Sequence, residues 1–302
     1  DGGNHNKMAV FLNLCVFFLT ASIALVQAAP RIVDLSHRQD GNSLTWPGNP
    51  SYNFTQLFRG FAELYGFWYE NNHFAMPEHM GTHIDAPVHT TQGMWKTDQI
   101  PIEKLYGPGV IINVKEKVKS NPDYRVTVED LMMWEKKFGE MPRHAIAIMN
   151  SGWSDKYPNK TQIFGSTQHD NASSFHFPSW HVDAVTWLIN KRQINAVGVD
   201  TPSTDFGQAS VSASFPCHTT LGRNNVVGIE YVANLDKVPE NGSTIYVPVL
   251  KLFDGSGGPA RVFATYDDEP NKTNAAAILA NPTSLFRFAI YFSMILLCEI
   301  GL

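Results

Sequence analysis

Apolar runs separated by turn-forming residues make the beginning of the chain rich in predicted strands. Residues 31–37, RIVDLSH, begin with a β-branched apolar run that predicts a first strand. In SLTWPGNPSYNF, which follows, Pro47, Gly48 and Pro50 indicate a turn before a second extended segment.

The middle of the chain alternates between strand and helix patterns. Residues 105–114 predict a buried strand entered through a turn at Gly107 to Gly109, and residues 144–153 predict another short strand. Residues 177–203 predict a helix, a turn and the short buried strand AVGVD. The helical spacing in this last segment rests on four apolar residues: Val182, Val185, Leu188 and Ile189.

A further helix is predicted for residues 126–139, VTVEDLMMWEKKFG. Thr127 can cap its first turn, Asp130 stands three positions later in a capping-box-like pair, and Gly139 ends it. Together the patterns predict the α/β class, as a mixed α+β chain with a single domain over residues 30–270.

Residues 58–80 are unusually aromatic and lie between the strand-rich start and the middle of the chain. We expect most of the rings to pack in the core and a minority to line an apolar pocket that accepts an aromatic group. The rings are Phe58, Phe61, Tyr65, Phe67, Trp68, Tyr69 and Phe74.

Cysteine content and charge narrow the class of protein. Cys15 and Cys298 lie in the terminal segments, so Cys217 alone remains in the domain and the core must stabilise itself without an intrachain disulfide. The formal net charge is -5, which offers no basic face for nucleic acid. A small-molecule substrate is therefore expected.

The first 29 residues have the pattern of a secretory signal. Residues 1–7 precede Met8 and are interpreted as upstream translation, and an apolar run extends from Val10 to Val26. Small residues at Ala28 and Ala29 predict cleavage there. The alternative, a transmembrane anchor, is disfavoured because the run is short and no basic flank follows it.

Residues 271–302 combine a small, polar spacer with an apolar tail, Leu285 to Leu302. This order predicts a GPI anchor signal, with attachment at Asn274 to Ala276 or at Ser284. A transmembrane helix and an amphipathic helix that packs or faces a membrane are the alternatives. N-glycosylation patterns add to the expectation of a secreted or cell-surface protein: Asn53, Asn159, Asn171, Asn241 and Asn271.

The densest chemistry lies in HMGTHIDAPVH, residues 79–89. Three histidines and one aspartate can bind metal or move protons: His79, His83, Asp85 and His89. Asp85 follows His83 at two residues, so an extended chain keeps both side chains on one side. Gly81 and Pro87 argue against one long helix and favour a loop or short turn. A satisfied structural cluster is the alternative.

The motif resembles the metal-dependent cyclase family, which includes bacterial-type kynurenine formamidases and isatin hydrolases. It matches the family pattern HxGTHxDxPxH at every fixed position, and the similarity extends over residues 31–263. Four further blocks follow the family's order: VDLSH at 33–37, WPGNP at 46–50, VGVDTPSTD at 197–205 and CHTTLGRNNVVGIE at 217–230. The resemblance implies the cyclase-type swivelling β/β/α fold.

The resemblance also implies a centre with two metal ions. His79, His83 and Asp85 would hold one Zn²⁺, and Asp85, His218 and Glu230 would hold a second. Imidazole and carboxylate ligands suit Zn²⁺, and Mn²⁺ also fits a carboxylate-rich site. The isatin-hydrolase branch uses one manganese ion and lacks this glutamate, so Glu230 favours the two-metal branch.

Taken without the resemblance, these residues leave alternatives open. Glu230 follows an apolar run, where a buried carboxylate needs a cation or partner, but an exposed glutamate at a strand end is equally ordinary. His218 could be a core histidine or form a nucleophilic pair with Cys217. Three polar residues either shape the loop near the site or only form a turn: Asp200, Ser203 and Asp205.

The resemblance implies an amidohydrolase that converts N-formyl-L-kynurenine into kynurenine and formate. His89 would be the catalytic proton shuttle, taking a proton from the attacking water and giving it to the leaving aryl amine. One alternative is an isatin-type cyclic amide or lactone hydrolase, and another is a surface binding protein that metal only stabilises. The family further implies a homo-oligomer.

Overall fold

The computed structural model describes residues 29–212 and 214–267. Within them Ile32–Tyr266 form one compact unit. The strands are β1 (Arg31–Asp34), β2 (Asn53–Ala62), β3 (Phe67–Ala75), β4 (His83–Asp85), β5 (Tyr106–Asn113), β6 (Arg125–Val126), β7 (Ile146–Asn150), β8 (Ser179–Trp180), β9 (Ala196–Val199), β10 (Val227–Glu230), β11 (Thr244–Tyr246), β12 (Gly257–Pro259) and β13 (Phe263–Tyr266).

The helices are short, and several single turns join them. They are α1 (Lys115–Ser120), α2 (Val128–Phe138), α3 (Lys160–Phe164), α4 (Val182–Trp187), which continues as the π-helical turn Leu188–Arg192, and α5 (Pro216–Arg223). The 3-10 turns are Pro87–His89, Thr97–Gln99, Ile102–Lys104, Trp153–Lys156, Ala172–Ser174, Ala209–Ser212 and Leu235–Lys237.

A mixed sheet of nine strands organises the unit, in the order β1-β13-β11-β5-β7-β9-β10-β4-β12. Strands β5, β7, β9 and β10 run parallel to their neighbours in this series, whereas β4 pairs antiparallel with both β10 and β12. This arrangement confirms the predicted mixed α/β class.

Successive residues of the central strands contribute to two different parts of the core. In β5, Val110 and Ile112 join one apolar cluster while Ile111 joins the other, and in β7 Met149 and Ile148 divide in the same way. Side chains of a strand alternate between the two faces of its sheet, so both faces are covered. This explains why the sequence of these strands is almost continuously apolar.

Several local predictions are confirmed. The predicted first strand, the strand of residues 144–153 and the strand AVGVD correspond to β1, β7 and β9, and the helical spacing after Phe177 corresponds to α4. In α2, the Thr127 side chain accepts from the Asp130 backbone, the Asp130 side chain accepts from the Thr127 backbone, and Gly139 follows the last helical residue.

The predicted turn at Gly107 to Gly109 is wrong, because both glycines lie inside β5. A Cβ atom on Gly107 would stand 2.3 Å from the carbonyl oxygen of His144, and one on Gly109 would stand 2.2 Å from Oγ of Ser243. These glycines therefore allow close approach of neighbouring chain segments, and they do not mark a turn.

The prediction that the aromatic segment packs mainly in the core is also wrong. Strands β2 and β3 pair with each other as a separate two-stranded sheet, and the seven rings of residues 58–74 remain 41% to 68% exposed. Nearly every residue of both strands is exposed, so neither face of this hairpin lies against the core. We call residues 53–75 the aromatic hairpin.

The predicted signal peptide, the C-terminal tail and Asn271 lie outside the described residues. The other four glycosylation-pattern asparagines are all exposed: Asn53, Asn159, Asn171 and Asn241. Among residues 29–212 and 214–267, none of the helices has the length and apolar character needed to cross a membrane.

Candidate metal centre

Two antiparallel neighbours, β4 and β10, form the floor of the candidate site. His83 and Asp85 are two residues apart in β4, so their side chains lie on the same side, as the sequence predicted for an extended chain. Glu230 is directly opposite His83, and Gly228 is opposite Asp85. A Cβ atom on Gly228 would lie 3.3 Å from that of Asp85, so glycine leaves this carboxylate its space.

His79 reaches the same place from the segment that precedes β4. Its backbone oxygen accepts a hydrogen bond from Oγ1 of Thr45 at 2.8 Å, which fixes the segment. Its Nδ1 lies 2.7 Å from Oδ1 of Asp85. One candidate ligand atom from each of His79, His83 and Asp85 lies within 4.8 Å of the others.

His218 enters from the first turn of α5 and faces both carboxylates. Its Nε2 lies 3.1 Å from Oδ2 of Asp85 and 3.3 Å from Oε1 of Glu230. The five residues predicted as ligands, far apart in the sequence, are thus brought together by β4, β10, α5 and the segment before β4. Their role as ligands stays a prediction.

Asp205 holds His218 in this orientation. Its carboxylate lies 2.7 Å from Nδ1 of His218 and accepts from the backbone N–H groups of Cys217 and His218, at 2.8 and 3.0 Å. Asp205 therefore binds both the histidine ring and the N–H groups of the first turn of α5, which have no hydrogen-bond partner within the helix. Ser203 accepts from the Asp205 backbone N–H, as expected for a turn. Asp200 instead accepts from Ser151 and Trp153.

The polar atoms of the cluster fit a divalent cation. Nε2 of His83 and Oδ2 of Asp85 are buried, and neither makes a hydrogen bond with any of the residues that the structure describes. Leaving such atoms without a partner is costly unless a cation or water takes that place. Imidazole nitrogens and carboxylate oxygens are the ligands that Zn²⁺ prefers, and Mn²⁺ also accepts them.

Charges in the cluster shift one another's proton affinity. Burial acts to raise the pKa of Asp85, but the neighbouring histidines outweigh it and hold this pKa well below the ordinary value. Burial and the nearby charge of Asp85 raise the pKa of Glu230. For His218, burial acts to lower the pKa, but the bonded carboxylates raise it well above the ordinary value. The raised pKa of His218 favours a proton on this ring that a cation would replace.

His89 lies at the end of the turn Pro87–His89, beside the other histidines. Its ring centroid is 4.1 Å from that of His79 and 5.9 Å from that of His218. The residue is exposed as a whole, yet burial of its ring lowers its pKa to about 4. The ring is therefore neutral near pH 7 and can accept a proton. A ligand atom of His89 also lies within 4.8 Å of one from Asp85 and one from His218, which allows metal binding as the alternative role.

Cys217 does not have the surroundings of a reactive thiol. It is fully buried, its Sγ donates to the backbone oxygen of Trp180 at 3.3 Å, and burial raises its pKa well above the ordinary value. Nucleophilic cysteines need a lowered pKa and access to solvent. The structure therefore disfavours the nucleophilic pair with His218.

Two polar residues beside the site were missed by the sequence analysis. Nε2 of His79 lies 3.0 Å from Oγ of Ser256, which in turn donates to Glu78 at 2.6 Å. Ser256 is 177 positions from His79, so no local spacing connects them. The signal that was available is the run GSGGP, since closely spaced glycines indicate close approach of the backbone to another group.

A family model described as "Putative cyclase" matches residues 33–206. An isatin hydrolase from Roseibium aggregatum is 30% identical over 198 residues, which cover 64% of this chain and 73% of that protein. A kynurenine formamidase from Salinibacter ruber is 23% identical over 243 residues, which cover 80% of this chain and 99% of that protein.

A solved structure shares the fold. The isatin hydrolase A from Labrenzia aggregata, bound to benzyl benzoate, superposes with a TM-score of 0.71 at 29% identity. The match covers 85% of this chain and 99% of that one.

Proposed function

The chain belongs to the cyclase family, and from this premise we propose that it is a metal-dependent arylformamidase that hydrolyses N-formyl-L-kynurenine or a related aryl amide. The coarser assignment, a cyclase-family hydrolase acting on C–N bonds, agrees with relatives that include isatin hydrolase and kynurenine formamidase. The observation that carries the proposal is the convergence of five side chains with metal-binding groups around two buried atoms that make no hydrogen bond within the described residues, Nε2 of His83 and Oδ2 of Asp85.

The proposed centre assigns these side chains to two cations. His79, His83 and Asp85 would hold one, and Asp85, His218 and Glu230 would hold the other. A bound divalent cation lowers the pKa of water and polarises a carbonyl group, which is the chemistry that amide hydrolysis needs.

The side chains of this protein supply the proton transfers and the orientation. His89, neutral at neutral pH, would accept the proton of the attacking water and donate it to the leaving amine nitrogen. Asp205 keeps the His218 ring turned so that Nε2 faces Asp85 and Glu230. Thr204 donates its backbone N–H to Oε1 of Glu230 at 2.9 Å, which fixes that carboxylate.

A cyclic amide of the isatin type is the second candidate substrate. It is favoured by the identity with isatin hydrolase, 30% compared with 23% for the kynurenine formamidase. Glu230, buried opposite His83, favours the formamidase instead, because the resemblance assigns this glutamate to the two-metal branch.

Turnover of the two substrates distinguishes these candidates. We expect the purified protein to hydrolyse N-formyl-L-kynurenine with about two zinc ions per chain, and to lose activity with a strong chelator and regain it with Zn²⁺. The assay follows kynurenine absorbance, with isatin as the parallel substrate and elemental analysis for metal. Turnover of isatin alone would favour the second candidate, and bound metal without turnover of either would favour the binding protein.

We also propose that a second copy of the chain covers the aromatic hairpin, making the protein a homo-oligomer. The seven rings and Phe54 are each about half exposed. At about 200 Å² per ring they offer about 800 Å², which equals one partner's share of a standard interface. Arg59 and Glu70 form an ion pair on the hairpin, so charge does not oppose this contact. A two-stranded hairpin is itself only marginally stable in water.

Replacing the cross-strand pair Phe61 and Trp68 by serine tests this contact. We expect wild type in light scattering to have a mass that is a multiple of the single-chain mass measured under denaturing conditions, and the double variant to have the mass of one chain. Ile102→Ser is the control, because this side chain is equally exposed outside the hairpin. A monomeric wild type would contradict the proposal, and flotation of wild type but not of the double variant with lipid vesicles would assign the hairpin to a membrane.

A further inference from the structure

Two polar groups, the half-buried Glu78 carboxylate and the Ser256 hydroxyl, form a hydrogen-bonded chain that ends at Nε2 of His79. Glu78 accepts from both the backbone N–H and the hydroxyl of Ser256, at 2.9 and 2.6 Å. Nε2 of His79 lies 3.0 Å from the same hydroxyl oxygen. Nδ1, the other ring nitrogen, lies at the candidate metal centre, 2.7 Å from Oδ1 of Asp85.

The direction of these hydrogen bonds follows from the chemistry of the groups. An ionised carboxylate only accepts, so the Ser256 hydroxyl gives its proton to Glu78. The hydroxyl oxygen then accepts from His79, which requires the proton on Nε2. A ring whose proton is held on Nε2 can offer the lone pair of Nδ1 to a cation beside Asp85, and this is the form in which a histidine binds metal.

The segment that carries Ser256 is shaped around His79. A Cβ atom on Gly257 would lie 2.6 Å from Cε1 of His79, so no larger residue fits there without a shift. Thr97 donates its hydroxyl to the backbone oxygens of Gly255 and Gly257 and its backbone N–H to that of Gly255, which fixes the segment on both sides of Ser256.

We propose that Glu78 and Ser256 are positioning residues that select Nδ1 of His79 as its metal-binding atom. The inference rests on the proposed metal centre, and it adds two residues that contact a proposed ligand from outside this centre. Groups that hold the second nitrogen of a metal-binding histidine typically change metal affinity by about 10-fold to 100-fold.

Ser256→Ala separates this role from simple attachment of the loop. The variant keeps the backbone N–H bond from residue 256 to Glu78 and loses only the hydroxyl. We expect its zinc affinity, measured by competition with a chromophoric chelator, to fall by about 10-fold or more. Ser256→Thr, which keeps a hydroxyl, should restore affinity to within a few-fold of wild type. Ser120→Ala is the matched control, because its exposed hydroxyl only contacts the Lys117 backbone.

Ring ¹⁵N shifts of His79 in the metal-free protein give a readout that does not depend on zinc. We expect Nε2 of wild type to carry a proton that is bonded to the Ser256 hydroxyl, and we expect this Nε2–H signal to shift and to exchange rapidly with solvent in Ser256→Ala, where the hydroxyl is missing. Unchanged zinc affinity and unchanged ring shifts in Ser256→Ala would overturn the positioning role of Glu78 and Ser256. Absence of zinc binding by wild type would instead contradict the proposed function. The ring shifts would still show whether Ser256 holds the proton of Nε2 of His79.

Discussion

Replacing His89 by alanine is expected to lower kcat by about 100-fold to 10,000-fold while the metal content stays that of wild type. The centroid of the His89 ring is 4.1 Å from that of His79 and 5.9 Å from that of His218, close enough to exchange a proton with a group bound at the centre. Its pKa, lowered to about 4, keeps it neutral near pH 7 and able to accept that proton. Loss of the ring removes the proton transfer but none of the five proposed ligands.

Metal analysis and turnover must be measured on the same preparation. His169→Ala is the matched control. The His169 ring is hydrogen-bonded to Thr161, which is not a proposed ligand, so this substitution should change neither metal content nor turnover. Normal metal content with normal turnover would refute the shuttle. Loss of metal from His89→Ala would identify His89 as a ligand, which its distance to Asp85 and His218 also allows.

Local chemistry explains which parts of the fold could be predicted. The helix α2 was predictable because Thr127, Asp130 and Gly139 act within a few residues of one another. Strands β7 and β9 were predictable because a sheet buried on both faces requires continuous apolar runs. The same rules failed at Gly107, where the reason for glycine is the His144 carbonyl oxygen of a neighbouring strand segment.

The aromatic hairpin shows a different limit. A run rich in rings is ordinarily buried, and no local pattern separates a core strand from a strand that has no sheet to join. In the register of β2 and β3, Phe54 faces Phe74, and Phe61 faces Trp68. Pairs such as these stabilise the hairpin itself, but they do not indicate which surface packs against its exposed rings.

In the candidate site, too, residues close together in the sequence could be predicted and contacts between distant residues could not. His79, His83 and Asp85 were grouped because they lie within seven consecutive residues, and His218 and Glu230 were added only through the family resemblance. The contacts of Asp205 with His218 and of Ser256 with His79 depend on tertiary packing over 13 and 177 positions. Asp205 was therefore predicted only as a residue of a loop near the site or of a turn, and the sequence did not reveal which ligand it or Ser256 contacts.

Asp85→Asn is expected to have the largest effect on the centre as a whole. Asp85 faces His79 at 2.7 Å, His83 at 3.4 Å and His218 at 3.1 Å, so its carboxylate connects both proposed halves. The amide has nearly the same shape but no charge, and its NH₂ group would face the ring nitrogens. We expect bound zinc to fall from about two ions to less than about one per chain, and turnover to fall by about 1,000-fold or more.

The comparison with Asp123→Asn makes this result specific. Asp123 also pairs with a histidine at 2.7 Å, but its partner His176 and the carboxylate itself are exposed. Loss of that pair should cost about 1 kcal/mol or less and leave metal and turnover unchanged. A thermal melt of each variant without metal shows whether the fold survives. A folded Asp85→Asn that keeps about two zinc ions and wild-type turnover would contradict the bridging position of Asp85.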